Sequence, residues 1–521
     1  MTLFDLLARS AAKKPDAPAL HHHDHVISYG DLLATVEGFA GGLASLNISK
    51  RGRIAILLPN CPAFVIAYYA ASRAGATVVP MNILYRPDEA RYILADADVE
   101  AIITAESFRP LVKALRPMLP NMKHVIMVSN NEVEADELSF YRLCGSSPAP
   151  KVSLSERDVA VILYTSGTTG RPKGAMLTFR NLIANSESCL DVLQIVPEDR
   201  FFAALPLFHT FAATICLNLA ILVGASLVLQ ERFLPSHALK TMESSRATIF
   251  AGVPSMFGLM LQVAREHPVD LSALRICISG GAPLPPEVWT AFEEAFDVKM
   301  AEGYGLTEAS PVVAVNPPFG IRKVGSIGLP ISNVRVKIVD PTGRAVPTGM
   351  IGELAVKGAN VMKGYLRKPA ETKEVIRRGW LFTGDLARMD EDGYLYIVGR
   401  KKEVIIVGGL NVYPGEVERV LVEHPAILEV AAFGITDSSR GEAVWAAVVL
   451  RPGETVTVKE LQALCREKLA SYKVPRGIEI LQELPKNALG KIMRHVLHNQ
   501  VMQERNQPKP GNTSDRELVE V

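Results

Sequence analysis

Residues 164–174, YTSGTTGRPKG, gather the side chains that hold phosphate. Tyr164, Thr165, Ser166, Thr168 and Thr169 carry hydroxyls, Gly167 and Gly170 free the backbone, and Lys173 adds a positive charge. Glycines let consecutive N–H groups turn toward an anion, and hydroxyls donate to phosphate oxygens. No Gly-Lys-Ser/Thr closes the loop, so it is not the common P-loop. As a ten-residue string, TSGTTGRPKG is far more specific than an isolated glycine-rich turn.

Such a loop needs a strand to aim it. The apolar run 159–163 precedes it, and LTFRNLIANSESCLDVL reads as a helix after it. From 52 to 106, strand patterns (RIAILLP, ATVVPM, EAIITA) alternate with helical runs, which argues for a parallel α/β sheet. The same grammar returns at 226–230, 247–251, 274–279 and 297–300. From 321 the texture changes to short strands with glycine and proline turns, a β-rich subdomain resembling a barrel. Beyond about 400 a small α+β unit follows, and the polar tail from 503 is expected to be disordered.

Composition narrows the function classes. The chain has 521 residues, more than one folding unit. Its 56 basic and 55 acidic residues leave a net charge of +1, which gives no electrostatic case for nucleic acid. Cys61, Cys144, Cys189, Cys216, Cys277 and Cys465 stand singly, so reduced thiols and a cytoplasmic setting are expected. Phe4, Leu6, Leu7 and Ala11 suggest an amphipathic helix rather than a signal peptide. Residues 201–230 lack Asp, Glu, Lys and Arg, but Asn218, Gly224 and Ser226 interrupt them, so they read as a buried helix and strand. HHHDH at 21–25 reads as a hairpin between Pro18–Leu20 and Val26–Tyr29, not as a dedicated metal site, although its imidazoles could hold stray nickel or zinc.

The phosphate loop resembles that of the adenylate-forming superfamily, which includes acyl-CoA synthetases, adenylation domains and firefly-type luciferases. Six further segments carry the likeness in order: SGGAPL (279–284), EGYGLTE (302–308), GELAVKG (352–358), GWLFTGDL (379–386), GRKKEVIIVGGLNVYPGEVE (399–418) and PKNALGKIMR (485–494). The resemblance implies a multidomain α/β fold: a large N-terminal domain (1–400) of two α/β sheets plus a β-barrel-like subdomain at about 321–399, and a small mobile α+β C-terminal domain (401–502). It also implies attack of a carboxylate on the α-phosphate of ATP, with Mg²⁺, then transfer of the acyl group to coenzyme A.

On that resemblance, Thr165 through Thr169, Gly170 and Lys173 hold the β- and γ-phosphates. A carboxylate beside phosphate is repulsive unless a metal lies between, so Glu308, with Thr165, is the expected Mg²⁺ partner. Tyr304 offers a face for adenine, with Gly281, Ala282 and Pro283 as the opposite wall. Glu302, Gly303, Gly305 and Thr307 complete that nucleotide site. Asp385 would accept from the ribose hydroxyls, with Ile397 and Arg400 nearby. Lys402 matches the hinge, and Lys491 the lysine that stabilises charge during adenylation. Gly408, Gly409 and Leu410 belong to the face presented for thioester formation, and His209 is expected near the carboxylate.

Segments 206–220, 251–260 and 308–317 should line the acyl pocket by resemblance, and they contain no Arg or Lys. A dicarboxylate would need one, because an unpaired buried charge is very costly. Amino-acid-activating relatives place an Asp where this chain has Phe208-His209. Luciferases and aromatic-acid ligases often carry a lysine where this chain has Ile406. The expected enzyme is a fatty-acid:CoA ligase for medium or long chains. An aromatic-acid:CoA ligase, or an acyl-AMP ligase serving a carrier protein, is the alternative. Peripheral membrane contact and a homodimer stay open, and no basic amphipathic helix stands out.

Overall fold

The computed structural model describes residues 1–506, apart from 49, 151, 166–171, 438–439 and 487–491. The described chain divides into two compact units. The first comprises Met1–Thr383 and Arg388–Tyr396, and the second Gly384–Ala387 and the residues from Ile397 onward.

Two large sheets build the first unit. In the nine-stranded sheet, Arg200–Ala203, Ser226–Leu229, Ile249–Gly252, Ile276–Ser279 and the start of Lys299–Gly305 run parallel. Runs such as SLVL and ICIS are buried along their whole length, as expected of strands covered on both faces. The register is tight, with Gly252 beside Ser279 and Ser279 beside Glu302. The loops after these strands therefore leave from one edge, where open α/β sheets bind ligands.

The eight-stranded sheet contains the parallel strands Arg53–Leu57, Thr77–Pro80, Ala101–Ala105 and Val159–Thr165. Against Val159–Thr165 lies an antiparallel strand, Lys173–Thr178. The phosphate loop thus joins two strands, and the helix begins only at Phe179, where Thr178 and Asn181 form a capping box. Local pattern alone extends the helix back to Leu177. The strand is instead fixed by distant partners: Gly364 pairs with Met176, Tyr365 with Ala175, and the Asn181 amide donates to the Ala359 and Val361 carbonyls.

The helix Leu3–Lys13 buries Leu3, Phe4, Leu6, Leu7 and Ala11, the face expected of an amphipathic helix. The apolar run 201–230 is a buried helix and strand. The helix is α at Thr210–Ala212, π at Ala213–Asn218 and α again at Leu219–Val223. No helix among the described residues is long and apolar enough to cross a membrane. All six cysteines are free, and four of them are buried.

The β-rich stretch contributes to a five-stranded sheet, with Val334–Val339 antiparallel to Gly352–Gly358. In the second unit, Ile427–Asp437 and Gly441–Leu450 form a long antiparallel pair, which Gly477–Leu481 extends in parallel. The helices Pro414–Val422 and Val458–Lys468 pack on this sheet through Val417, Leu421, Leu461 and Cys465.

Candidate active site

The first unit collects one group of candidate residues. Thr165 ends its strand directly opposite Lys173, so the two mark the stems of the phosphate loop. Ser166, Gly167, Thr168, Thr169 and Gly170 lie outside the described residues. Lys173 Nζ sits 2.5 Å from Glu371 Oε2 and 5.4 Å from the centre of the Tyr365 ring. The Tyr365 hydroxyl donates to Glu308 Oε1 at 2.8 Å. One tyrosine therefore touches both the loop lysine and the expected magnesium ligand. Burial, and then these neighbouring carboxylates, hold the Tyr365 phenol well above its ordinary range, so it stays a donor.

Glu308 lies in a 3₁₀ turn, Thr307–Ala309, that long-range bonds fix in place. The Met362 N–H donates to the Glu308 carbonyl at 2.9 Å. Asn360 donates to the Ala309 and Val312 carbonyls, and its own carbonyl accepts from the Ser310 hydroxyl. Gly305 cannot carry a side chain here, because a methyl group would collide with the Pro311 carbonyl. Its neighbours Gly303 and Tyr304 pair with Val315 and Ala314.

Glu302 acts as a brace. It is buried, its Oε1 accepts from the Leu284 N–H at 2.9 Å, and its Oε2 has no hydrogen-bond partner among the described residues. Burial pushes this carboxyl up to about 7, with the Leu284 bond opposing. The brace holds the turn that contains Gly281, Ala282 and Pro283, and Gly281 needs its left-handed φ of 85°. Phe211 closes that turn from the other side, its ring 3.2 Å from where a side chain on Gly280 would begin.

His209 Nδ1 accepts from the Phe211 N–H at 3.3 Å. Burial pushes the imidazole down to about 4, so the ring is neutral near pH 7. With Nδ1 accepting, Nε2 carries the proton and is a donor. The strand ends that lead to His209 are knotted by Asn60, whose amide donates to the Ala203 and Leu205 carbonyls and whose oxygen accepts from the Leu207 N–H.

The second unit holds the remaining candidates. Asp385 is buried, and its Oδ1 lies 2.9 Å from Arg400 Nε. Ile397 is on the same strand as Arg400, and Lys402 is exposed in the 3₁₀ turn Lys401–Glu403 that follows. Gly408 and Gly409 form a hairpin turn between Ile405–Val407 and Leu410–Val412, both with positive φ, as a two-residue turn of this type demands. Leu410 and Ile406 are exposed on that hairpin. Lys491 lies outside the described residues. Just beyond it, Arg494 joins Glu403 (3.1 Å) and Glu418 (2.7 Å), which ties the helix Arg494–Asn506 to the turn holding Lys402.

Tyr365, Glu371, Asn360 and Arg494 are not identifiable from sequence as parts of the site. Arg494 stands at the end of a segment that carries the family likeness. Tyr365 stands seven residues beyond GELAVKG, and only the pairing of Tyr365 with Ala175 shows its use.

The described arrangement combines Lys173 with the Thr165 and Glu308 oxygens, ligands of the hard type, which suits a polyphosphate with its cation. The family model described as "AMP-binding enzyme" matches residues 7–366, and "AMP-binding enzyme C-terminal domain" matches 416–491. A long-chain-fatty-acid–CoA ligase of Bacillus subtilis is 40% identical, over 95% of this chain and 94% of its own. A feruloyl-CoA synthase of an Amycolatopsis species is 36% identical, over 93% and 96%. The crystal structure of an anthranilate CoA ligase in complex with anthranoyl-AMP superposes with a TM-score of 0.89 at 30% identity, over 96% and 97%.

Proposed function

We propose, since the chain belongs to the AMP-binding enzyme family and is an acid–thiol ligase that works through an acyl-adenylate with ATP, Mg²⁺ and CoA, that its acid is a medium- or long-chain fatty acid. What supports this most is the chemistry of segments 206–220, 251–260 and 308–317, which carry no Arg or Lys. Two of their buried polar groups are spent on the surrounding chain, while the Thr210 hydroxyl has no hydrogen-bond partner among the described residues. The Thr214 hydroxyl donates to the Ser310 carbonyl at 3.0 Å, and Asn218 bonds to Tyr69 and Tyr68. A second carboxylate would find no cation there, whereas each buried CH₂ of an alkyl chain gains about 0.8 kcal/mol.

In this reading the loop between Thr165 and Lys173 holds the β- and γ-phosphates. Thr165 and Glu308 present the oxygen donors that Mg²⁺ prefers, and the bound ion would draw charge off the phosphates. Tyr365 orients the Glu308 carboxylate. His209 offers its Nε2–H to the acid's oxygen, and Glu302 keeps the Gly281–Pro283 wall opposite Tyr304. Asp385, oriented by Arg400, accepts from the ribose. Lys491 supplies charge for adenylation, Lys402 serves as the hinge, and the Gly408–Leu410 turn is presented for CoA.

One observation favours an aromatic acid instead: Phe211 packs its flat ring against Gly280 beside the adenylate wall, and the relatives include a feruloyl-CoA synthase. Phe257 does not help that reading, because it is packed between Phe250 and Phe292 in the core. Pyrophosphate release with ATP and Mg²⁺, across acids from acetate to stearate plus benzoate and cinnamate, decides the matter. Turnover on octanoate to palmitate that needs CoA to pass one equivalent is expected. Preference for benzoate or cinnamate would overturn the aliphatic assignment, and a burst indifferent to CoA would point to another acceptor.

A further inference from the structure

The hairpin at 18–28 carries its histidines to a place the local sequence does not reveal. Strand Pro18–His22 runs parallel to Ser226–Leu229, with Leu20 beside Leu227 and His21 beside Val228. His22 is therefore level with the end of that strand, and Glu231 lies just past it. Adjacent side chains on a strand point to opposite faces. His23 escapes that rule because it turns the chain with a left-handed φ of 51°. Its ring comes to 4.2 Å from the His22 ring.

His22 Nε2 lies 3.3 Å from Glu231 Oε1, and His23 Nε2 lies 3.8 Å from the same oxygen. Two imidazoles and a carboxylate thus present ligand atoms that all lie within 4.8 Å of one another. Tetrahedral zinc, with ligand bonds of about 2.0–2.1 Å, sets its ligand atoms about 3.3 Å apart. Closing the wider separations takes only small side-chain rotations, since His23 and Glu231 are largely in solvent. His22 Nε2 is buried and has no hydrogen-bond partner among the described residues.

We propose that His22, His23 and Glu231 form a binding site for a divalent transition ion of the zinc class, which clamps the N-terminal hairpin to the end of strand Ser226–Leu229. Imidazole with one carboxylate suits Zn²⁺, Ni²⁺ or Cu²⁺ over Mg²⁺ or Ca²⁺, which take oxygen ligands. The exposed side leaves a fourth position to water.

The test uses the full, untagged chain. Zn²⁺ competition with a chromophoric chelator should give one equivalent bound per chain. Glu231→Gln and His22→Ala should each weaken that binding at least about tenfold, since even groups that only support a metal ligand cost 10–100-fold when removed. His25→Ala, on the far strand of the hairpin, should leave it within about twofold, less than loss of even a supporting group. One equivalent of Zn²⁺ should raise the melting temperature of the native chain and not of Glu231→Gln, whose exposed site tolerates the change. If Glu231→Gln binds Zn²⁺ as tightly as the native chain, the ion is held by the histidine string alone and the site is overturned. Displacement of the zinc by Mg²⁺ at equal concentration would overturn it as well.

Discussion

At the level of single residues, two buried groups titrate in opposite senses. Glu302 has its carboxyl raised to about 7, so the folded chain favours the protonated acid. That contribution is fully present below the ordinary value near 4.5 and is lost as pH rises toward 7. His209 has its imidazole lowered from 6.5 to about 4, so the folded chain favours the neutral ring. Its contribution is present above 6.5 and is lost as pH falls toward 4, by no more than roughly 3 kcal/mol. Denaturant unfolding of Glu302→Gln should therefore show higher stability than the native chain at pH 8, by about 1–2 kcal/mol, and little difference at pH 5. The glutamine still accepts from Leu284, so a loss of stability at both pH values would refute the raised carboxyl. Tyr365→Phe removes the bond to Glu308. A hydrogen bond to a charged group is worth about 1.5–3 kcal/mol, so half-maximal activation should need roughly tenfold more Mg²⁺. An unchanged magnesium dependence would separate Glu308 from the metal.

At the level of elements, the turn 302–312 is held by contacts from three distant stretches: Asn185, residues 360–362 and Thr214. Gly305→Ala meets the Pro311 carbonyl, so it must push this turn aside. Isotope exchange between pyrophosphate and ATP should fall about a hundredfold or more, as expected when a reacting group is displaced by about 1 Å, while circular dichroism stays native. Exchange near the native rate would mean the turn does not carry the nucleotide. These contacts also explain what sequence could and could not reveal. The alternating strands were legible because their residue types follow from period. The strand Lys173–Thr178 was not, because KGAMLT is held between Val159–Thr165 on one side and residues 364–365, nearly two hundred positions on, on the other. Glu302 read as part of a nucleotide segment, and only burial shows that it braces the wall instead of facing solvent. Glu231 was invisible because its partners are the histidines at the same end of a parallel neighbour far back in the chain.

At the level of the whole molecule, the candidates divide between two units, the phosphate-loop stems, Glu308 and Tyr304 in the first, and Asp385, Arg400 and the Gly408–Gly409 turn in the second. If the two half-reactions use different faces of the second unit, they should separate under mutation. Lys491→Ala is expected to lose adenylation, seen as pyrophosphate release, yet to retain CoA thioester formation from supplied acyl-adenylate. Equal loss of both would sink the two-face account.

The course of the chain also bears on inheritance and engineering. It passes from one unit to the other after Thr383, returns after Ala387, and passes over again after Tyr396. The chain therefore crosses between the units three times. A fragment ending at Tyr396 would carry Asp385 away from Arg400, its 2.9 Å partner, and remove that ion pair from a buried carboxylate. Recombination between family members should then tolerate a junction beyond Arg400 and reject one between 384 and 397, because only the former moves Asp385 and Arg400 as a single heritable block.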